Sequence, residues 1–391
     1  MELDLTKCTG CCACANGCPV QAITMREDKD GFVYPYINSD SCIECGKCKR
    51  ICDGRYKKYT DDFVAKSFAV WSKDKDIRYE STSGGAFSEF AKEILSQGGV
   101  VAGAAYDEHN GVEHVIIDAA DKLSVIRQSK YVQCNSKNIY KQIKDIVVQG
   151  RLTLFCGTPC QVAALRSYLD KEYENLIYMD FICLGVNSPK ALKALLTEVE
   201  TEEKCRVNRV WFKYKKYGWR RSPLCTRLDL DNGKQKIYFD KDNKFMRGYI
   251  HYHLYIRPSC THCAFKGLDH GTDVMLADFW GLQSADDNGT SLVIVNSKKG
   301  NQLFEKIKEN LYSREEDFSR SVLGNPAFRE SAILSKYSRD FLCSLDSMGF
   351  NKAYEKYARD PLAVRFKNII KGCLKAGKQI FASRQDKMLK C

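Results

Sequence analysis

Residues 8–19, "CTGCCACANGCP", carry five cysteines within twelve positions. Four of them have the spacing C-x2-C-x2-C-x3-C, and Pro19 follows the last one. Residues 42–52, "CIECGKCKRIC", repeat the same spacing. This repeated pattern is typical of bacterial ferredoxins that hold two [4Fe–4S] clusters. The sequence therefore predicts a ferredoxin-like module at the N-terminal end, and the rest of the chain is interpreted from it.

The fourth ligand of each predicted cluster comes from the other cysteine run. Two x2 gaps let three thiolates surround one cubane from a tight loop, and in two-cluster ferredoxins the fourth thiolate belongs to the opposite run. The sequence thus predicts two ligand sets. The first set is Cys8, Cys11, Cys14 and Cys52, and the second set is Cys18, Cys42, Cys45 and Cys48.

A pair of zinc sites is the alternative for so many thiols. Zinc sites take four ligands from two separated pairs, whereas here eight cysteines form two identical runs, which favours iron–sulfur clusters. Asp53 stands where the first run has Pro19, and this difference leaves the ligands intact. Cys12 is an extra thiol inside the first loop, and we interpret it as a bystander.

The composition of the 391 residues indicates a folded protein with metal sites. Apolar residues make up 44% of the chain, and there are 20 cysteines. The start "MELDLTKC" has neither a basic nor an apolar leader region, and no apolar run reaches about 18 residues. A cysteine-rich chain without such features favours the reducing cytoplasm and metal binding over a disulfide framework.

The net charge of +12 is concentrated at the C-terminal end. Residues 365–391 contain eight Lys or Arg and one Asp, with apolar residues at helical spacing among the lysines. Such a basic amphipathic helix indicates peripheral contact with the inner face of a membrane or with an acidic partner. A solvated terminal helix is the alternative. No recognition motif accompanies the charge, so we expect no nucleic-acid partner.

The fold class predicted is an α+β ferredoxin-like N-terminal module, an α/β catalytic domain and a mainly helical C-terminus, over residues 1–58, 63–320 and 321–391. In the middle part, strands alternate with helices, which predicts a largely parallel sheet. Residues 151–169, "RLTLFCGTPCQVAALRSYL", predict a strand, a turn and a helix. Ser188 and Pro189 predict the N-cap and first residue of another helix.

Four further thiols lie where α/β proteins place their sites. They follow or end predicted strands, or form a C-x2-C pair, and are Cys160, Cys183, Cys260 and Cys263. Together they could hold a third cubane. Buried structural thiols are the alternative, and Cys156 competes with Cys160 as a ligand.

A ferredoxin module relays single electrons, and a flavin is the usual centre that converts a hydride into single electrons. The chain has no G-x-G-x-x-G fingerprint. The turn Ser83-Gly84-Gly85 precedes a predicted helix and could hold a phosphate on helix N-terminal N–H groups. The turn in "CGTPCQ" is a second candidate, and a plain helix cap is the alternative for Ser83-Gly84-Gly85.

Six segments, in order, carry a resemblance to a known family. They are "STSGGAFSEFAKEILSQGGVVAGAAYD" (81–107), "RQSKYVQ" (127–133), "LFCGTPCQVAALR" (154–166), "FICLGVNSP" (181–189), "RPSCTHCAF" (257–265) and "DVMLADFWG" (273–281). In these segments the chain resembles the coenzyme F420 hydrogenase/dehydrogenase beta subunit family, from about residue 65 to 310. The ferredoxin module in front also occurs in that family.

The resemblance implies noncovalent FAD, a cluster in the catalytic domain and hydride exchange with a carrier or substrate. It favours Cys160, Cys183, Cys260 and Cys263 as the third ligand set. It also implies flavin contacts at Ser83, Gly84, Gly85, Lys130 and Gly157. Relatives often have Cys-His-Gly where this chain has Cys183-Leu184-Gly185, so a proton-handling or substrate-orienting role of that histidine would be missing here. No catalytic acid or base is assigned.

The expected function is that of a cytoplasmic iron–sulfur flavoprotein oxidoreductase. Electrons would pass between FAD and an external one-electron partner, which is a donor or acceptor protein or a reduced carrier. The substrate would be a small molecule, and some similar bacterial proteins suggest a role in polysaccharide biosynthesis. The alternatives are oxidation of reduced coenzyme F420 and a non-catalytic electron-transfer subunit of a larger complex.

The first testable prediction concerns cluster content. Each [4Fe–4S] cubane has about four irons, and each iron is bound by one cysteine. Two cubanes in the N-terminal module therefore require about eight irons, and a third raises the content to about twelve. Anaerobic iron and sulfide analysis of fully loaded protein measures this content. A value near eight would remove the third cluster and leave the two ferredoxin clusters in place.

Overall fold

The computed structural model describes residues 3–59, 62–282 and 286–359. It consists of a small N-terminal module, a large β-sheet with helices on both faces, and a separate three-stranded sheet. The α-helices are α1 (Ala13–Gly17), α2 (Lys47–Gly54), α3 (Lys75–Glu80), α4 (Ala86–Ser96), α5 (Leu123–Ile126), α6 (Ile139–Val148), α7 (Pro159–Leu169), α8 (Pro189–Glu203), α9 (Lys244–Ile250), α10 (Lys298–Ile307), α11 (Phe318–Ser321) and α12 (Ser338–Tyr357).

The strands form three sheets. They are β1 (Ile23–Glu27), β2 (Val33–Ile37), β3 (Lys66–Ser72), β4 (Val100–Tyr106), β5 (Val112–Ile117), β6 (Cys134–Asn135), β7 (Thr153–Cys156), β8 (Leu176–Phe181), β9 (Val207–Trp211), β10 (Cys225–Leu230), β11 (Gln235–Phe239), β12 (Val274–Asp278), β13 (Ser291–Val295) and β14 (Leu311–Glu316). The pair β1-β2 is one sheet, and β11-β10-β9 is another. The large sheet has the order β14-β3-β13-β12-β8-β7-β4-β5-β6.

The large sheet is mixed, so the prediction of a largely parallel sheet is wrong. Neighbours β4/β7, β7/β8, β8/β12 and β5/β6 are parallel, and the other four pairs are antiparallel. Part of the reason is the length of the connections. Only five residues join β4 to β5 through a turn in which Asn110 has a φ of 59°. Such a short connection can join antiparallel strands only.

Five strands of this sheet nevertheless point the same way. From the pairings, β3, β12, β8, β7 and β4 share one direction. Their carboxyl ends therefore lie along one edge of the sheet, which we call the carboxyl edge. Open α/β sheets bind ligands outside this edge, and the predicted site segments at Ser83, Gly157, Cys160 and Cys183 follow these strands.

The strands bury alternate side chains on the two faces of the sheet. On one face Leu154 and Ile177 pack with residues of α4 and α10. On the other face Phe155 and Tyr178 pack with residues of α6 and α7. This alternation follows from the two-residue period of a strand, and it leaves α7 between the sheet and the N-terminal module.

The N-terminal module shares its core with the α/β part. Cys11, Ala13 and Ile51 belong to the same buried cluster as Val162 and Leu165 of α7. The module itself contains the antiparallel pair β1-β2 and the short helices α1 and α2. The boundary predicted after residue 58 stays a prediction, and shared burial makes the module a packed part of the whole rather than a loosely attached one.

Several predicted elements are confirmed. Residues 151–169 form β7, a turn and α7 as predicted, and α8 has Ser188 as its N-cap and proline in its first turn. The three-stranded sheet β9–β11 was not predicted. Within the described part of the predicted helical C-terminus, α12 is the long helix and is interrupted at Gly349, and residues 322–337 are mostly irregular. The basic helix predicted within 365–391 lies outside the described residues. Among the residues that the structure describes, no helix is both long and apolar enough to cross a membrane.

Gly84 packs too tightly to accept a side chain. A Cβ there would stand 2.3 Å from the Val70 carbonyl oxygen and 2.7 Å from the Ser291 amide nitrogen. We expect Gly84→Ala to lower the free energy of unfolding by about 3 kcal/mol through overpacking.

Gly98 serves as the matched control, since its φ is +73° and no atom would contact its Cβ within 4 Å. Gly98→Ala should cost only about 1 kcal/mol, from the left-handed backbone. Anaerobic thermal unfolding measures both variants. Equal losses would contradict the steric account of Gly84.

Candidate functional site

The first predicted ligand set surrounds one cavity. Cys8, Cys11, Cys14 and Cys52 all line one pocket in the N-terminal module. The first three come from the loop before α1 and from α1 itself, and Cys52 comes from α2, which packs against α1. The structure therefore brings the fourth thiol from the other cysteine run, as the crossover assignment requires.

In the second predicted set, Cys48 lies within electrostatic reach of Cys18 and Cys42. Burial raises the pKa of the Cys48 thiol, and the charges of Cys18 and Cys42 raise it further. Cys45 lies in the loop between Cys42 and Cys48 and is exposed to solvent. The two sets share a small apolar core, in which Cys14 and Cys48 are both buried.

Within 3–59, 62–282 and 286–359, no group of three or more His, Cys, Asp or Glu side chains is placed to hold a single metal ion. The thiols of the first set instead surround a volume, which suits a cubane because each of its four thiolates binds a different iron. Cys12 is engaged elsewhere, since its Sγ lies 3.5 Å from the Gly10 carbonyl oxygen and 3.5 Å from Asn135 Oδ1. Burial raises the pKa of Cys12 to about 12.

The contacts of a buried arginine indicate whether the first pocket suits an anionic cluster. Arg55 follows α2 and is only 2% exposed. Its guanidinium donates to Cys52 Sγ at 3.2 Å, to Cys11 Sγ at 3.5 Å and to Thr9 Oγ1 at 2.8 Å. Hydrogen-bond donors directed at cysteine sulfurs are one of the means by which proteins tune iron–sulfur clusters. The residues present therefore fit a [4Fe–4S] cluster at this position.

The third predicted set comes together from three separate segments. Cys160 begins α7, Cys183 follows β8, and Cys260 and Cys263 lie in and after the 3-10 helix Pro258–His262. An antiparallel bridge between Asn187 and Ile256 holds the second and third segments side by side.

Electrostatic proximity places all four thiols of this third set in one group. Burial raises the pKa of Cys160, and the charges of Cys263, Cys183 and Cys260 raise it further. Cys156 is different, because the charges that act on it are those of Asp180 and Lys130. Of the two competing thiols, the structure thus places Cys160, and not Cys156, with the other three.

Two polar neighbours of the third set were not predicted. Lys266 donates to the Cys183 carbonyl oxygen at 2.7 Å and to the Ala327 carbonyl oxygen at 2.9 Å. Thr158 Oγ1 lies 3.1 Å from Cys160 Sγ. Position in the sequence gives a weak signal for both residues, because each lies within three residues of a predicted ligand.

The predicted flavin contacts meet at the carboxyl edge of the large sheet. The turn Ser83-Gly84-Gly85 precedes α4, and Gly157 follows β7. The Ser129 amide donates to Thr82 Oγ1 at 2.9 Å, which places the loop that contains Lys130 beside this turn.

Many polar groups of these residues are already used within the chain. The Gly84 amide donates to Ser291 Oγ at 2.9 Å, and Ser83 Oγ donates to the Thr290 carbonyl oxygen at 2.7 Å. Lys130 Nζ donates to backbone carbonyl oxygens of its own loop, and burial lowers the pKa of Lys130 to about 7. No side chain caps the N-terminus of α4. The end of this helix, rather than the Gly84 amide, is thus the part of the turn that an anion could use.

A lysine beside this turn was not predicted from the sequence. Lys215 Nζ donates to the carbonyl oxygens of Ser83 at 2.5 Å and Asn288 at 3.0 Å. Burial lowers the pKa of Lys215 to about 7. The surrounding sequence "KYKKYGWRR" resembles an ordinary charged surface, so no sequence signal marks Lys215 as buried.

Comparison with known proteins gives three family matches. Residues 67–141 and 150–321 match the N-terminal and C-terminal parts of the coenzyme F420 hydrogenase/dehydrogenase beta subunit, together more than half of the chain. Residues 7–53 match a 4Fe-4S dicluster domain. No curated protein matches the chain in sequence.

One solved structure to which the chain is matched is that of the F420-reducing [NiFe] hydrogenase complex from Methanosarcina barkeri. The sequence identity is 15%, and the TM-score is 0.45. The alignment covers 76% of this chain and 94% of that chain.

A further prediction tests whether the fourth ligand of each cluster comes from the other cysteine run. We expect Cys52→Ala to destroy the cluster bound by Cys8, Cys11 and Cys14 and to spare the one bound by Cys42, Cys45 and Cys48. Cys12→Ala is the matched control, because the Cys12 thiol is directed at the oxygen atoms of Gly10 and Asn135. This variant should keep every cluster. EPR of the reduced proteins resolves the clusters. Loss of the second cluster alone in Cys52→Ala would contradict the assignment.

Proposed function

The chain belongs to the coenzyme F420 hydrogenase/dehydrogenase beta subunit family, and from this premise we propose that it is an iron–sulfur flavoprotein oxidoreductase. It would exchange electrons between a flavin at the carboxyl edge of the large sheet and an external one-electron partner. Bound [4Fe–4S] clusters would supply single-electron transfer, and bound FAD would supply hydride transfer.

The observation that carries this proposal is the position of the first thiol set against the third. Burial is the main cause that raises the pKa of Tyr140, and the charges of Cys11 and Cys160 raise it further. Tyr140 therefore lies within electrostatic reach of both thiol sets. Tyr140 is fully buried. The chain would thus hold a ferredoxin cluster and the α/β-domain cluster on two sides of one dry core, with water excluded between them.

The second thiol set suits contact with the external partner. Cys45 is exposed, and so are the apolar side chains of Ile43 and Val20 next to ligands of this set. Exposed apolar groups on a mainly polar surface are typical of interaction sites. We propose that an electron-carrier protein, either donor or acceptor, binds over this loop.

Residues at the carboxyl edge would hold the flavin. The uncapped N-terminus of α4 would accept the pyrophosphate, because free N–H groups and the helix dipole favour negative charge there. Ser81 Oγ and Thr290 Oγ1 are buried next to this turn without a hydrogen-bond partner, as polar groups awaiting a ligand would be. Lys130 and Gly157 would contribute from the two adjacent loops.

Two other functions remain as alternatives. Oxidation of reduced coenzyme F420 follows from the family name, and a non-catalytic electron-transfer subunit follows from the ferredoxin module. The reconstituted protein incubated alone with candidate small-molecule substrates separates an enzyme from such a subunit, because only an enzyme bleaches its flavin without a partner. A role in polysaccharide biosynthesis rests on the resemblance alone and stays a prediction.

Flavin binding at the N-terminus of α4 is tested by a charge placed beside it. Thr82 is half-buried and lies three residues before the N-cap Gly85. In Thr82→Asp the carboxylate should repel the pyrophosphate and weaken FAD binding by about tenfold or more, which corresponds to ~1.4 kcal/mol. The same carboxylate should not destabilise the fold, because a negative charge near a helix N-terminus is favourable.

Thr82→Asn is the matched control, with nearly the same shape and no charge. Fluorescence of FAD released on denaturation measures occupancy in reconstituted wild type and both variants. Equal occupancy in Thr82→Asp and Thr82→Asn would refute this site. Absence of FAD from reconstituted wild type would refute the flavin proposal itself.

A further inference from the structure

Two arginines are buried where the N-terminal module meets the α/β part. Arg55 comes from the end of α2 and is 2% exposed, and Arg257 precedes the 3-10 helix Pro258–His262 and is 0% exposed. One guanidinium thus belongs to each part of the molecule. We call this pair the arginine seam.

Arg55 is directed at the first thiol set and is enclosed on its other side. Besides its bonds to Cys11 Sγ and Cys52 Sγ, its Nε donates to the Cys52 carbonyl oxygen at 3.1 Å. The rings of Tyr56 and Phe265 stack on each other at 5.5 Å and lie 5.5 and 5.7 Å from the guanidinium carbon. Phe265 follows Cys263 by two residues, so this aromatic wall connects the first thiol set to the third.

Arg257 extends from the α/β part into the N-terminal module. Its Nε donates to the Cys8 carbonyl oxygen at 2.9 Å, and one terminal nitrogen donates to the Val33 carbonyl oxygen at 3.1 Å. The other terminal nitrogen donates to Gln133 Oε1 at 3.1 Å. The Cys260 amide in turn donates to the Arg257 carbonyl oxygen at 3.0 Å. One residue therefore touches the backbone of a ligand in each of the two thiol sets.

Neither guanidinium forms an ion pair with a carboxylate in the part of the chain that the structure describes. Removing a charge from water without a counter-charge is costly. The negative groups around the seam are cysteine thiolates. Arg55 donates to Cys11 Sγ and Cys52 Sγ, and Arg257 donates to the backbone of Cys8, another ligand of the first set.

We propose that Arg55 and Arg257 raise the reduction potential of the cluster held by Cys8, Cys11, Cys14 and Cys52 above that of the cluster held by the second set. This inference rests on the proposed function for its biological meaning. It adds the direction of electron transfer between the two clusters. A cubane with four thiolates is anionic and becomes more so on reduction. Two fixed positive charges in a dry region stabilise the added electron, because charges interact strongly where the dielectric constant is low.

The arginine described beside the second set differs from these two, because it is exposed. This residue is Arg50, which donates to the Cys45 carbonyl oxygen at 3.0 Å. Water and salt screen an exposed charge, so its effect on a nearby cluster is small. The difference in potential should therefore favour transfer from the exposed second cluster toward the buried first cluster, which lies next to the α/β domain.

Anaerobic redox titration of the full-length holoprotein, followed by EPR, tests the seam. In Arg55→Gln the amide can still donate a hydrogen bond, and the charge is gone. At a fixed applied potential, the ratio of reduced to oxidised first cluster should fall about tenfold, equivalent to 59 mV for one electron. Arg257→Gln should lower the same ratio, and the control Arg50→Gln should leave it unchanged.

Arg55→Lys separates charge from shape, since it keeps the charge without the planar fork. A wild-type potential in Arg55→Lys supports the proposal, including the case in which the Gln variants do not load the first cluster. An unchanged potential in both fully loaded Gln variants overturns it. So does failure of Arg55→Lys to load the cluster, because Arg55 would then serve packing only.

Iron and flavin contents of wild type are measured in the same preparations. A wild type with about eight irons and no flavin would refute the proposed function. The reduction potential of the first cluster could still be measured in that protein. Failure of the proposed function can therefore be distinguished from failure of the proposal about Arg55 and Arg257.

Discussion

A buried guanidinium that donates to backbone carbonyl oxygens and to a side-chain amide oxygen constrains the whole molecule. Arg257 leaves the α/β part and ends against Cys8 and Val33 of the N-terminal module. Its hydrogen bonds have direction, and a buried donor without a partner would cost free energy. The module can therefore dock in one orientation only, and that orientation places the first thiol set next to the third.

Apolar packing reinforces this orientation. Ile51 of α2 shares a core with Val162 and Leu165 of α7, and Ser167 Oγ of α7 donates to the Ile51 carbonyl oxygen at 2.6 Å. A ferredoxin that binds its partner transiently would keep a polar and hydrated interface. Here the surface toward the α/β part is dry, while the loop of Cys45 faces solvent. The fixed docking thus gives the module an inner side and an outer side.

The local parts of the candidate site could be predicted from the sequence. The eight N-terminal cysteines follow from spacing alone, because one tight loop supplies three of each set of ligands, and the crossover follows from the repeat. The third set depends on contacts between distant segments, such as the bridge between Asn187 and Ile256. Spacing could not choose between Cys156 and Cys160. That choice depends on where β7 ends and α7 begins, which places Cys156 beside Lys130 and Asp180.

Other features could not be predicted because they depend on burial and packing. Arg55 lies in the charged segment "KCKRICDGRYKK", and nothing in that composition distinguishes it from the exposed Arg50. Gly84 looked like a phosphate-binding glycine, and the structure shows its amide bonded to Ser291 Oγ. The sheet was expected to be largely parallel because strands and helices alternate, but the short connection from β4 to β5 makes that pair antiparallel, and β3, β12, β13 and β14 form three further antiparallel pairs.

The proposed function requires that the first and third clusters lie on two sides of one dry core, close enough to interact. The EPR spectrum of the fully reduced holoprotein tests it most directly. The account predicts signals that are broadened or split by spin coupling, and a sharp first-cluster signal in the variant Cys160→Ala, which lacks the third cluster. A wild-type spectrum equal to the sum of independent, uncoupled clusters would contradict the account.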